Sequence, residues 1–97
     1  MSPPPSPSSL HLLAGNAPLT FTAEAAMSVA NGVQNIPSPG ARLLGLACAF
    51  LLTTEEAGLS VPDLMGMARN AMNTAEGKRP EFAAVAAYLR NEVLNTF

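Results

Sequence analysis

The stretch Ala41-Arg42-Leu43-Leu44-Gly45-Leu46-Ala47-Cys48-Ala49-Phe50-Leu51-Leu52 decides how this chain is read. From Leu43 onward it is apolar on every side of a helix, so other elements must surround it, or a partner must cover one face. It is far shorter than the roughly 20 residues that span a bilayer, so it reads as a central post rather than a membrane segment. Gly45, Ala47, Cys48 and Ala49 are small enough to let neighbouring backbones come close, and Cys48 reads as a small buried hydrophobe.

Its boundaries are written in punctuation. Ile36-Pro37-Ser38-Pro39-Gly40 breaks the chain, and Ser38 before Pro39 matches an N-cap followed by proline at the first helical position. The helix then runs to about Ala57, where Gly58 ends it. Upstream, Thr22 as N-cap and Ala23 to Met27 as good formers predict a short helix that stops at Asn31-Gly32. Downstream, Ser60 and Asp63 have the spacing of a capping box and open a helix over Val61 to Ala75. Its inward stripe is Leu64, Met67, Ala68, Ala71 and Ala75. Gly77-Lys78-Arg79-Pro80 breaks the chain again, and Phe82, Val85, Ala86, Leu89 and Val93 recur at helical spacing in a final helix.

Two-residue alternation is nowhere sustained, so no sheet is expected. Residues 1–19 carry Pro3, Pro4, Pro5, Pro7 and Pro18, several serines and no charge. They predict a flexible tail that favours polyproline II over helix. The expectation is an all-α fold: a Pro/Ser tail over 1–19, then a single four-helix domain over 20–97 with the apolar helix at its centre. A core of that size rarely supplies more than about 3–5 kcal/mol, so the domain is expected to gain stability by dimerising or binding another protein.

Composition excludes much. Seven acidic and five basic side chains in 97 residues leave a net charge of −2, with no positive field for a polyanion. The first 48 residues carry only Glu24 and Arg42. One cysteine makes no internal disulfide, and with one histidine it falls short of a structural zinc site. His11 lies in the proline-rich segment with no acid beside it, and Cys48 has no imidazole partner. Glu55 and Glu56 are helix neighbours that point about 100° apart and share neither proton nor metal. Scattered single glycines make no phosphate cradle. These readings predict no catalytic residue, no metal and no cofactor. With no positively charged start before an apolar run, the cytoplasm is the expected compartment.

Three constellations remain. Thr53 to Met67 has the glycine, apolar, serine turn of a helix-turn-helix, with Leu64 and Met67 inward, although Thr54 replaces the usual small alanine. Its second helix would present Asp63, Met65, Gly66, Arg69 and Asn70 to DNA, a poor set where Lys and Arg supply most affinity. Nucleic acid is therefore the alternative partner, behind protein. Arg69, Lys78 and Arg79 gather near the start of the final helix, where an anion would meet free amides, or a solvated turn would be partnered by Glu76 and Glu81. Met65, Met67 and Met72 fall within eight residues. Met65 and Met72, with Arg69 and Glu76, form an adaptable face that Tyr88 extends, and these five are the expected protein interface.

The segment from Arg42 to Val93, especially AGLSVPDLMGMARNAMNTAEGKRPEFAAVAAYLRNEV, resembles small accessory proteins encoded by bacteriophages and prophages. The likeness is one of general texture over about half the chain and carries no functional motif. It implies a compact adaptor, often an inhibitor of a host enzyme or complex. The function expected is thus a non-enzymatic interaction module that binds a protein partner, itself or both.

Overall fold

In the computed structural model, residues 7–95 are described. They form α1 (Pro7–Gly15), α2 (Leu19–Val33), α3 (Pro39–Ala57), α4 (Val61–Met72), the two-residue strands β1 (Asn73–Thr74) and β2 (Gly77–Lys78), α5 (Pro80–Tyr88) and a π-helical turn, Leu89–Val93. The fold is all-α, as expected.

The helix ends are made by local chemistry. Ser38 Oγ accepts from the Ala41 amide at 3.1 Å and Ser60 Oγ from the Asp63 amide at 3.2 Å, each capping the helix that follows. Gly58 closes α3 in the left-handed conformation, φ 71°, while the Leu59 amide reaches back to the Thr54 carbonyl at 3.1 Å. A residue with a Cβ is strained there, so glycine is the fitting terminator.

Several expectations need correction. The segment 1–19 is not a uniform tail: α1 occupies Pro7–Gly15, and prolines 3–5 lie outside the described residues. Pro7 stands at the first helical residue, where its missing amide costs nothing, and the leucines behind it are good formers. Likewise α2 starts at Leu19 rather than Thr22, whose hydroxyl instead donates back to the Pro18 carbonyl at 2.9 Å. It also runs through Asn31-Gly32 to Val33, because one glycine weakens a helix without breaking it. The expected helix to Ala75 stops at Met72, with Asn73 Nδ2 donating to the Arg69 carbonyl at 2.9 Å. A short antiparallel hairpin follows where no sheet was expected, pairing Asn73 with Lys78 and Thr74 with Gly77. Gly77 has a φ of 133°, and the Thr74 hydroxyl accepts the Glu76 amide at 3.2 Å inside the turn. Four residues of strand are too few to alternate visibly in sequence.

The core lies between α2, α5 and the π-helical turn. Ala23, Ala30, Phe82, Val85 and Val93 are buried, and Val93 is wholly sealed. The turn is closed by the Leu94 amide donating to the Leu89 carbonyl at 2.7 Å, an i→i+5 bond that swings Val93 inward. Arg42 ties α3 to this assembly: its guanidinium donates to the Ile36 carbonyl at 2.6 Å and to the Val93 carbonyl at 2.9 Å.

Beyond that tie, α3 is not the enclosed post expected from its composition. Thr54 is its one buried residue, while Leu43, Leu44, Leu51 and Leu52 are 59, 66, 48 and 57% exposed. Cys48, expected inside, is also exposed.

Candidate functional site

Seen along its axis, α3 divides into two faces. Arg42, Leu46, Phe50 and Thr54 turn toward the rest of the molecule at four-residue spacing and are buried or half-buried. The Thr54 hydroxyl donates to the Leu51 carbonyl of its own helix at 2.6 Å, so the polar atom at the α3–α4 corner is satisfied. On the other side Ala41, Leu44, Cys48, Leu51 and Glu55 follow one another at alternating three- and four-residue steps, with Leu52 alongside, and all are exposed. That spacing is the seam of a coiled coil. Leu44, Leu51 and Leu52 thus add an ordered apolar stripe to a surface that also exposes Leu12 and Leu13 on α1 and Phe21 on α2.

Of the residues expected to form an interface, Met65, Arg69 and Met72 recur on one face of α4, whereas Glu76 and Tyr88 lie on other elements. Met65 is half-buried and Arg69 exposed on α4. Met72 lines a half-open pocket, and Glu76 sits in the hairpin turn, where its carboxylate accepts the Thr74 hydroxyl at 3.1 Å. Tyr88 is half-buried against α2: its hydroxyl is shared between Asn31 Oδ1 at 2.7 Å and Gln34 Oε1 at 2.9 Å. That tyrosine fastens α5 to α2 rather than widening a face of α4.

The basic residues are also apart in character. Arg69 and Lys78 are exposed, while Arg79 is half-buried with its Nε out of contact with any hydrogen-bond acceptor. At the start of α5 the Arg79 carbonyl accepts the Phe82 and Ala83 amides at 3.0 and 2.9 Å, so that helix end is partly satisfied by backbone. Among the described residues no three of His, Cys, Asp and Glu come together as a metal would require. His11 is exposed on α1 and Cys48 is exposed on α3.

A half-open pocket of about 540 Å³ lies between α2, α4 and α5 with Leu46 of α3 on its wall. Its size falls within the range of small-molecule sites, about 300–1,000 Å³, but such sites orient a ligand with converging polar groups. Here the Thr22 hydroxyl is turned to its own backbone and only the Lys78 amine remains. The cavity reads as loose packing of small alanines around Phe82. A second hollow, between the end of α1 and α4, brings Gly15 close to Met67: a Cβ at Gly15 would stand 3.9 Å from the sulfur.

Sequence reasoning missed the exposed stripe, although its spacing was present between Ala41 and Glu55. An enclosed helix and an uncovered one have the same composition, so the signal was ambiguous rather than absent. Among the described residues no single helix is long and apolar enough to cross a membrane; α3 and α4 pass that test of length and composition together but are bent by 114°. The chain matches no protein-family model, no curated protein and no solved structure.

Proposed function

We propose that this chain is a non-enzymatic protein-interaction module acting in the cytoplasm, and that its docking surface is the outer face of α3. The observation that carries the reading is the set of three leucines on that face, Leu44, Leu51 and Leu52, left between about half and two-thirds exposed. Contiguous apolar surface on that scale marks interaction sites in soluble proteins. The sparse reactive side chains of the sequence, one histidine and one cysteine, accord with action through contact. A phage-type adaptor that binds and modulates a host protein is the biological setting that the resemblance implies. The interface thereby moves from Met65, Arg69, Met72, Glu76 and Tyr88 to Leu44, Leu51 and their neighbours. The test is capture from lysate by the wild-type chain and by Leu44→Asp, with matched thermal melts. A Leu44-dependent species supports the reading, whereas identical capture by both chains refutes it.

A second reading, a DNA-reading helix-turn-helix, draws on one observation: α3 and α4 meet at 114° across the three residues Gly58, Leu59 and Ser60. Such motifs join two helices at about 90–120° through a turn of that length. Against it stands α4, which offers one arginine and an aspartate where phosphate contacts are needed. Titration with random duplex DNA at 50 mM salt separates the readings; saturable binding there favours the second.

A further inference from the structure

We propose that the outer face of α3 is covered by a second copy of this chain, packed antiparallel with Cys48 at the two-fold axis. This rests on the interaction-module reading and names its partner.

The first argument is geometric. Cys48 is the midpoint of Pro39–Ala57. Turning a copy about it sets Leu44 against Leu51 and Leu52 of the other copy, twice, along a seam of about 21 Å from Ala41 to Glu55. Gly45, Ala47 and Ala49 flank the centre and let the two axes approach to about 8 Å, the close end of helix packing. No charged side chain lies on α3 between Arg42 and Glu55, so the face does not repel itself.

The second argument is electrostatic and fixes the direction. The first turn of α3 holds no acid and its last turn no base. Glu55 and Glu56 instead stand at the carboxyl end, where the helix dipole opposes them. An antiparallel copy reverses the mismatch, bringing the two carboxylates of each chain beside Gly40 and Ala41 of the other, at the positive end. The nearer helix start in the same chain, α4, already carries Asp63. A parallel pair would instead crowd four glutamates at one end.

The third argument is area. Leu44, Leu51 and Leu52 offer roughly 300 Å² of apolar surface per chain, at the low end of the largest patch on a typical monomer. Two such faces with their small flanking residues bury on the order of 1,000 Å², where specific interfaces begin.

The experiment is light scattering at rising protein concentration, together with cross-linking of the purified full chain by a short bis-maleimide. The expected result is a mass of twice 10.0 kDa, a melting temperature that rises with concentration, and a covalent dimer through Cys48. Cys48→Ser combined with Leu52→Cys should lose the cross-link, since an antiparallel pair holds those sites about 12 Å apart along the axis, whereas a parallel pair keeps them adjacent. Retention there overturns the antiparallel arrangement. Leu44→Asp should halve the mass without changing the helical spectrum, because that side chain is exposed in the single chain. A monomer at high concentration overturns the second copy. If that monomer still captures another protein through Leu44, the module reading survives. If it floats with anionic phospholipid vesicles instead, a lipid surface covers the face and both readings fall.

Discussion

The α2–α5 pair and α3 are both rich in apolar residues and both expose some, Phe21 and Val29 on α2 and four leucines on α3, yet only the pair closes a core. On α2 and α5 the sealed positions are small or carefully placed, Ala23, Ala30, Phe82 and Val85, and long-range polar contacts lock the pair at its end through Tyr88. On α3 four leucines are left about half exposed or more, and the helix is held through its inner edge, Leu46, Phe50 and Thr54, and through Arg42. Apolar content therefore does not identify the centre of a small domain.

The comparison can be broken at the core first. Phe82→Ala should cost about 3–5 kcal/mol, enough to unfold a domain of this size in a chemical melt. A cooperative transition retained at the wild-type midpoint would show that α5 is not the core helix. Next, Arg42→Met keeps the aliphatic stem but leaves the Val93 carbonyl without its donor, and should cost about 2 kcal/mol. Differential scanning calorimetry should record a melting temperature lower by about 10 °C, on the usual scaling for domains of this length. Tyr88→Phe removes one hydroxyl between α5 and α2 and should cost about 1 kcal/mol; hydrogen exchange at Asn31 to Gln34 should accelerate with it. Smallest of all, Leu44→Asp at a protein concentration low enough to keep the chain monomeric should change unfolding free energy by less than about 0.5 kcal/mol. A loss of several kcal/mol there would place Leu44 inside and restore the picture of an enclosed post.

How much of this was legible follows from the range over which each feature is decided. Ser38, Gly58, Ser60 and Pro80 set helix ends by bonds or backbone preferences within a few residues, so sequence pattern suffices for them. The repeat Phe82, Val85, Val93 also survives as the sealed stripe of the last segment. The tie from Arg42 to Val93 spans 51 positions, and the Tyr88 hydroxyl reaches back 57 and 54. Neither has a local signature, and without them nothing in the sequence tells an inner helix from an outer one. The candidate site suffers most from that blindness: its heptad steps were readable, but its exposure was not. The hairpin after Met72 was hidden for another reason, since alanine and asparagine there are compatible with helix until Gly77 needs a positive φ.

The corner between α3 and α4 has one more consequence. Straightened into one helix, residues 39–72 would make a rod about 51 Å long, which Gly58, the Ser60 cap and Pro62 together prevent. Its length and oiliness together would satisfy the test for a bilayer-crossing segment. Gly58, the Ser60 cap and Pro62 thus keep two oily helices from becoming one segment that lipid could claim.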